Sequence, residues 1–313
     1  MRNDFVRQLM VEMERDENIY LLTGDLGFRA FEPVKERFPN RFVNAGVAEA
    51  NMMGVAAGMA LTGKKVVAYS IASFATMRCF EQIRSDICYH NLDVKIVGVG
   101  GGVNYAHQGV THHTVEDLAL MRVLPNMRVI CPSYSWEARE ATRVAIQDKG
   151  PVYLRFGKSP NGDYSQQDFD FKFGKGFVIK EGSDVALICT GNMLDITLAA
   201  AELIQQRIHK SVCVVSMPCI KPLDTEMIKG LSQRVEAIIT IEEHSVIGGL
   251  GCAVGDVLLS CRLTKCIFEP IGFKDTFVHE VGCRDYLLAC VGLDAEGITR
   301  RVVEVCKDSG ASL

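Results

Sequence analysis

Between Arg41 and Lys64 the only charged residue is Glu49, in the run Asn44-Ala45-Gly46-Val47-Ala48-Glu49-Ala50-Asn51-Met52-Met53-Gly54. A carboxylate in apolar surroundings has its neutral form favoured and is placed to give or take a proton. A carboxylate at a helix start also gains about 0.3–1 kcal/mol from the helix dipole, so a plain helix-start role stands beside the chemical one. A second group is the segment Gly100-Gly101-Gly102-Val103-Asn104-Tyr105-Ala106-His107-Gln108-Gly109-Val110-Thr111-His112-His113. Three of the seven histidines, His107, His112 and His113, lie in it. Imidazoles on a glycine-rich loop suit general acid–base work or hydrogen bonds to substrate hydroxyls. A zinc site is the rival reading, but no nearby Cys or spaced His completes a ligand set. A structural role also stays open. Third, Phe74, Met77 and Phe80 recur every third residue and make one apolar face, which on its own reads as core.

These residues need elements to hold them. Apolar runs at 19–22, 66–69, 94–99, 128–131 and 152–156 read as strands. Amphipathic stretches at 3–15, 48–61, 75–90, 114–122 and 135–148 read as helices. That alternation means a buried, mostly parallel sheet covered by helices. The histidine loop follows a strand, and in open α/β sheets ligands bind at the carboxyl ends of strands. Past the polar stretch that begins at Ser159-Pro160-Asn161-Gly162-Asp163, a second alternation starts. Its strands are expected at 184–189, 211–216, 236–241 and 265–270, and its helices at 193–207, 224–232, 249–261 and 295–306. The expected fold class is α/β, with two α/β domains, each a mostly parallel sheet flanked by helices. The domains are expected at 1–165 and 183–313, with 166–182 as linker. In the second domain no catalytic constellation is visible. His244 could lie near the domain junction but reads more readily as a surface or capping residue, and Gly248-Gly249-Leu250-Gly251 as either a weak phosphate loop or close helix–strand packing.

The chain has 313 residues, 48% of them hydrophobic and 23% charged, with a net charge of −4. No basic field exists to hold a nucleic-acid backbone. No run of about 18 uncharged apolar residues suggests a membrane span. The amino terminus lacks the apolar core of a signal peptide, so a cytoplasmic location is expected. The twelve cysteines form no Cys-x-x-Cys pair and read as reduced thiols packed like small hydrophobes.

Taken together, these segments resemble the carboxy-terminal half of transketolase and of its relative 1-deoxyxylulose-5-phosphate synthase, both thiamine-diphosphate enzymes. Gly46-Val47-Ala48-Glu49 looks like a family signature, as does Thr111-His112 with Glu116-Asp117-Leu118. Leu124-Pro125-Asn126-Met127 and Cys131-Pro132-Ser133 are similar to the strand region that follows. Glu242-Glu243-His244-Ser245-Val246-Ile247-Gly248-Gly249-Leu250-Gly251 and Gly292-Leu293-Asp294-Ala295-Glu296-Gly297-Ile298 are similar to segments of the second domain. The resemblance implies that Glu49 hydrogen-bonds the aminopyrimidine N1′ and so promotes loss of the thiazolium proton. It implies that Phe74, Met77 and Phe80 pack around the pyrimidine, with Met77 where an aromatic is usual, and that Asp25 lies near the cofactor at a dimer interface. His112 would contact substrate hydroxyls, with His107 and Gln108 beside it. Arg155 or Lys158 would hold a sugar phosphate, as a fixed cation can.

Two departures carry weight. Gln108 stands where the family usually has Asp, so a neutral amide replaces an anion beside the sugar. Further, the Gly-Asp-Gly run and later Asn that hold the diphosphate and its metal are missing: Gly24-Asp25-Leu26-Gly27 is followed too soon by Asn40 and Asn44. No metal ligand is therefore assigned to this chain. By resemblance it is the second subunit of a split transketolase, moving a two-carbon ketol unit between sugars or sugar phosphates. A separate subunit would supply the diphosphate half with Mg²⁺ or Ca²⁺, in an α2β2 assembly whose two copies of this chain pair. The other readings are an acyloin-forming synthase of the deoxyxylulose type, the β subunit of a 2-oxoacid dehydrogenase, and a silent stabilising subunit.

Overall fold

The computed structural model describes residues 1–157, 170–261 and 266–308. In chain order the first half contains α1 (Arg2–Arg15), β1 (Ile19–Thr23), α2 (Glu32–Arg37), β2 (Phe42–Asn44), α3 (Glu49–Leu61), β3 (Lys65–Ile71), α4 (Ala72–Thr76), α5 (Phe80–Gln82), β4 (Val94–Val99), α6 (Asp117–Val123), β5 (Arg128–Ile130), α7 (Ser135–Gln147) and β6 (Val152–Phe156). The second half contains β7 (Phe177–Lys180), β8 (Val185–Cys189), α8 (Leu194–Ile208), β9 (Val212–Ser216), β10 (Cys219–Lys221), α9 (Thr225–Arg234), β11 (Ala237–Ser245), α10 (Leu250–Ser260), β12 (Ile267–Phe273), α11 (Arg284–Cys290) and α12 (Ala295–Asp308). They build two sheets, ordered β10-β5-β6-β4-β3-β1-β2 and β12-β11-β8-β9-β7. Every pairing is parallel except β10 with β5 and β7 with β9. The fold is thus α/β, with two mostly parallel sheets flanked by helices.

Strands β4, β6, β8 and β9 are buried at every residue, because helices cover both faces of each sheet. In the first sheet Phe5 of α1 stacks on Tyr69 of β3 with ring centroids 6.0 Å apart. Helix α3 buries Glu49, Met52, Met53, Ala56 and Ala57, the spacing of one helical face. Its other face leaves Asn51, Val55 and Gly58 exposed.

The helix expected over 75–90 is broken into α4, α5 and a π-helical turn at Ile83–Cys88. At the break Thr76 donates to the Ala72 carbonyl at 2.7 Å, and the Cys79 thiol donates to the Ala75 carbonyl at 3.1 Å. Strands β2 and β10 have three residues each, too short for a readable period. The 166–182 stretch ends in β7, which pairs antiparallel with β9. All twelve cysteines are free, most of them buried. Among the described residues no helix is long and apolar enough to cross a membrane.

The two halves interlock. Strand β10, from the second half, adds to the first sheet beside β5. The buried Glu137 of α7 accepts from Ser216 Oγ at 2.7 Å and from Ser133 N at 2.6 Å. His244 is fully buried at this joint, not at the surface. Its Nδ1 donates to the Ser245 carbonyl at 2.7 Å, and its Nε2 accepts from the Ala119 amide at 3.3 Å. Only a neutral ring protonated at Nδ1 satisfies both bonds. The glycine run after it is close packing and not a phosphate loop. Glu242 already fills the start of α10, accepting from Leu250 N at 2.7 Å and Gly251 N at 2.8 Å.

Burial pushes the His244 pKa down to about 4, whereas an unconstrained histidine titrates near 6.5. The unfolded chain therefore binds this proton first. The stability contributed by neutral His244 is complete above pH 6.5 and is lost as pH falls towards 4. Glu242, pushed by burial up to about 7 from 4.5, works oppositely: its contribution is complete below pH 4.5 and is lost as pH rises through 7. Thermal unfolding measured between pH 6.5 and 4 should show a shallower loss of stability in His244→Gln than in the wild type. Equal slopes would contradict the neutral, buried assignment.

Candidate active site

The first sheet delivers its polar groups at one edge. Gly24 follows β1, Glu49 follows β2, Ser70 lies near the end of β3, and the glycine triplet 100–102 follows β4. These are carboxyl ends of parallel strands, where side chains from separate segments converge. Glu49 is the first residue of α3, but its side chain makes no helix cap. It turns inward, 1% exposed, and accepts from Ser70 Oγ at 3.1 Å and from Arg78 Nη1 at 2.8 Å. Its side-chain bonds thus run to Ser70 and Arg78 and not to the amides of its own helix. Gly24 lies against it, since a Cβ there would stand 3.4 Å from Glu49 Oε1.

Arg78 also lies over the Phe74 ring, 4.2 Å from its centroid. Phe74 packs edge-on against His112 at 5.2 Å, and Tyr105 flanks the same imidazole at 5.8 Å. Glu49, Arg78, Phe74, His112 and Tyr105 thus form one continuous wall. Phe74 and Phe80 are half-buried and Met77 is 38% exposed, so the three-residue stripe is not simple core. The break after α4 turns it partly outward. His112 bonds Thr111 Oγ1 through Nδ1 at 2.9 Å. Burial, with His113 beside it, lowers its pKa below the usual histidine value and keeps the ring neutral near pH 7. His107 and Gln108 are exposed on the same loop. His113 is buried, with Nε2 on the Ala106 carbonyl at 2.9 Å.

Asp25 is exposed and accepts from Asn44 Nδ2 at 2.8 Å, next to Gly24 and so beside the Glu49 pocket. Arg155, expected at a sugar phosphate, is placed otherwise. It is 4% exposed: Nε donates to Asp117 Oδ2 at 2.8 Å, Nη2 donates to the Thr114 carbonyl at 2.8 Å and the Glu243 carbonyl at 3.0 Å, and Nη1 lies 3.9 Å from Cys131 Sγ. Burial opposes its charge, but Asp117 outweighs that and pushes the pKa up. It is an interior cation, held chiefly by groups of the chain itself. Lys158 lies outside the described residues.

Ser70, Arg78, Tyr105 and Asn44 were not read from the sequence. Ser70 is polar within an apolar strand, and Arg78 is the only cation between Lys65 and Arg84, so each carried a faint signal. The donor set fits the aminopyrimidine end of thiamine diphosphate: a buried carboxylate beside half-exposed Phe74, Met77 and Phe80. For the diphosphate and metal, no group of three or more His, Cys, Asp or Glu side chains able to hold a metal is found among the described residues.

Comparison with known proteins agrees in both halves. Residues 1–162 match the family described as the transketolase pyrimidine binding domain, and residues 174–303 match the transketolase C-terminal domain. A 6-deoxy-6-sulfo-D-fructose transketolase subunit from Clostridium sp. is 35% identical over 308 residues, covering 97% of this chain and 94% of that one. An apulose-4-phosphate transketolase subunit from Phocaeicola vulgatus is 33% identical over 309 residues, covering 98% and 97%. A split-gene transketolase solved as an inactive β4 tetramer superposes with a TM-score of 0.86 at 36% identity, covering 98% and 97% of the two chains.

The interior position of Arg155 has a direct consequence for stability. Asp117→Ala strands a buried guanidinium and should cost about 3–5 kcal/mol in denaturant unfolding. A cost below about 1 kcal/mol, the range of exposed pairs, would show that the ion pair is solvated.

Proposed function

The chain belongs to the transketolase family, and from that premise we propose that it is the pyrimidine-domain subunit of a split, thiamine-diphosphate-dependent transketolase. It transfers a two-carbon ketol unit between sugars or sugar phosphates and acts in the cytoplasm with a separate diphosphate-binding subunit. The observation that carries this reading is Glu49: a carboxylate 1% exposed at the carboxyl end of the sheet, fixed by Ser70 and Arg78. Relatives of matching length are named as transketolase subunits, which supports ketol transfer over the acyloin-forming reading. One acts on a sulfo-sugar and the other on a sugar phosphate by their names, so a ketose with an anionic end is the favoured substrate class here. The inactive β4 assembly of a similar chain supports the need for a partner, within an α2β2 complex in which two copies of this chain pair.

When bound, thiamine diphosphate supplies the electron sink for carbanion chemistry that side chains lack. Glu49 would hold the aminopyrimidine through a hydrogen bond at N1′. Its burial would exclude water from that bond, so that a proton held at the carboxylate would be shared with the ring and not with solvent. Arg78, 46% exposed, orients the carboxylate from the solvent side and can withdraw when the ring enters. Phe74, Met77 and Phe80 would flank the ring with apolar surface, and Asp25 would stand at the neighbouring edge. Neutral His112, bonded at Nδ1 to Thr111, presents the rest of its ring to substrate hydroxyls, with His107 and Gln108 exposed beside it. Gln108 offers an amide and no charge, which suits a neutral hydroxyl or carbonyl more than a cation. The Mg²⁺ or Ca²⁺ ligands belong to the diphosphate-binding subunit.

Glu49→Gln should leave assembly with the diphosphate-binding subunit intact and lower kcat by about 100-fold or more, because the amide cannot take the proton. Steady-state assays of the reconstituted complex with ketose donors test this. Unchanged turnover would remove Glu49 from the reaction.

A further inference from the structure

The histidine loop leaves β4 through three glycines, and each is explained by what presses on it: a Cβ on Gly100, where φ is +75°, would run into the Tyr105 ring. A Cβ on Gly101 would run into the Arg155 guanidinium, and one on Gly102, where φ is +76°, would run into the Glu243 side chain. Glu243 belongs to β11 in the second sheet, is 2% exposed, and accepts from the Val103 amide at 2.8 Å. Arg284, at the start of α11, holds that carboxylate with two donors: Nη2 to Oε2 at 2.6 Å and Nε to Oε2 at 3.1 Å. Gly102 and Thr114 close the loop base with paired bonds of 2.7 and 2.8 Å. Just inside that base, the clamped Val103 accepts from Ala106 N at 2.9 Å. Tyr105 lies within this turn and packs on His112, while the Ala106 carbonyl anchors His113.

We propose that Glu243 is a positioning residue for the substrate-side histidine: through Val103 it fixes the turn that carries Tyr105, and thereby the place of His112. Arg284 in turn fixes Glu243. The second domain, which contributes no group to the wall around Glu49, thus sets the geometry of the histidine loop. The inference rests on the reading of His112 as a substrate contact, but its test contains neither substrate nor cofactor, so the two fail separately.

The test is the titration of His112, followed by nuclear magnetic resonance on the ring-labelled chain, with the signal assigned by loss in His112→Gln. The groups that face His112 are Phe74 from α4, and Tyr105, Thr111 and His113 from its own loop. Glu243→Ala removes the acceptor for Val103. Released from Tyr105, His112 should then titrate at higher pH, towards the ordinary value of 6.5. Glu243→Gln keeps an oxygen for Val103 and should retain the wild-type titration. An unmoved His112 in folded Glu243→Ala would overturn the proposal, as would an equal shift in Glu243→Gln. Should Glu243→Ala not fold, Gly102→Ala decides, since its Cβ pushes the loop off Glu243 with both buried charges still paired. His112 should shift there too, and an unchanged titration would overturn the proposal.

Discussion

A carboxylate that is almost fully buried must be held, and everything around Glu49 serves that need. Removing a charge from water is costly unless hydrogen bonds and opposite charge replace the lost solvation. Ser70 and Arg78 supply those bonds from the end of β3 and from the break after α4. Both are in place only because β1, β2 and β3 run parallel and end together, and because α3 starts where β2 stops. Gly24 lies beside the carboxylate, where a Cβ would just touch Oε1 at 3.4 Å. Beside the carboxylate, Phe74 is half-buried and Met77 and Arg78 are exposed, the surface that we propose receives a flat, apolar ring with one hydrogen-bonding nitrogen.

The second half of the chain is not an appendage. It lends β10 to the first sheet, buries His244 against α6, and sets Glu243 against the loop after β4. Asp117, Arg155, Glu243 and Arg284 form two compensated ion pairs at this joint, linked through the Glu243 carbonyl. Such buried charges add little net stability when replaced as a set, yet breaking one alone is expensive. Their effect is to fix one relative arrangement of loop and sheet.

Much of this was legible in the amino-acid order. The alternation of apolar runs and amphipathic stretches carries the α/β architecture, because strands buried on both faces must be continuously apolar. Glu49 stood out because nothing else charged surrounds it. What the sequence hides is pairing between distant segments. Arg155 beside Lys158 looks like a phosphate clamp, and only the fold brings Asp117, 38 positions earlier, against its guanidinium. His244 follows two glutamates and looks solvated, but β11 carries all three inward. The helix over 75–90 has the right periodicity, yet it is broken after Thr76 and again by a π-helical turn at Ile83–Cys88. The first break aims Arg78 at Glu49.

We propose that this chain holds one half of a cofactor site. Calorimetric titration of thiamine diphosphate with Mg²⁺ tests it most directly, with this chain alone and mixed with a diphosphate-binding subunit. Saturable binding is expected only in the mixture, with one cofactor for each pair of unlike chains. Equally tight binding by this chain alone would contradict it, because the diphosphate and metal would then have a site among its own residues.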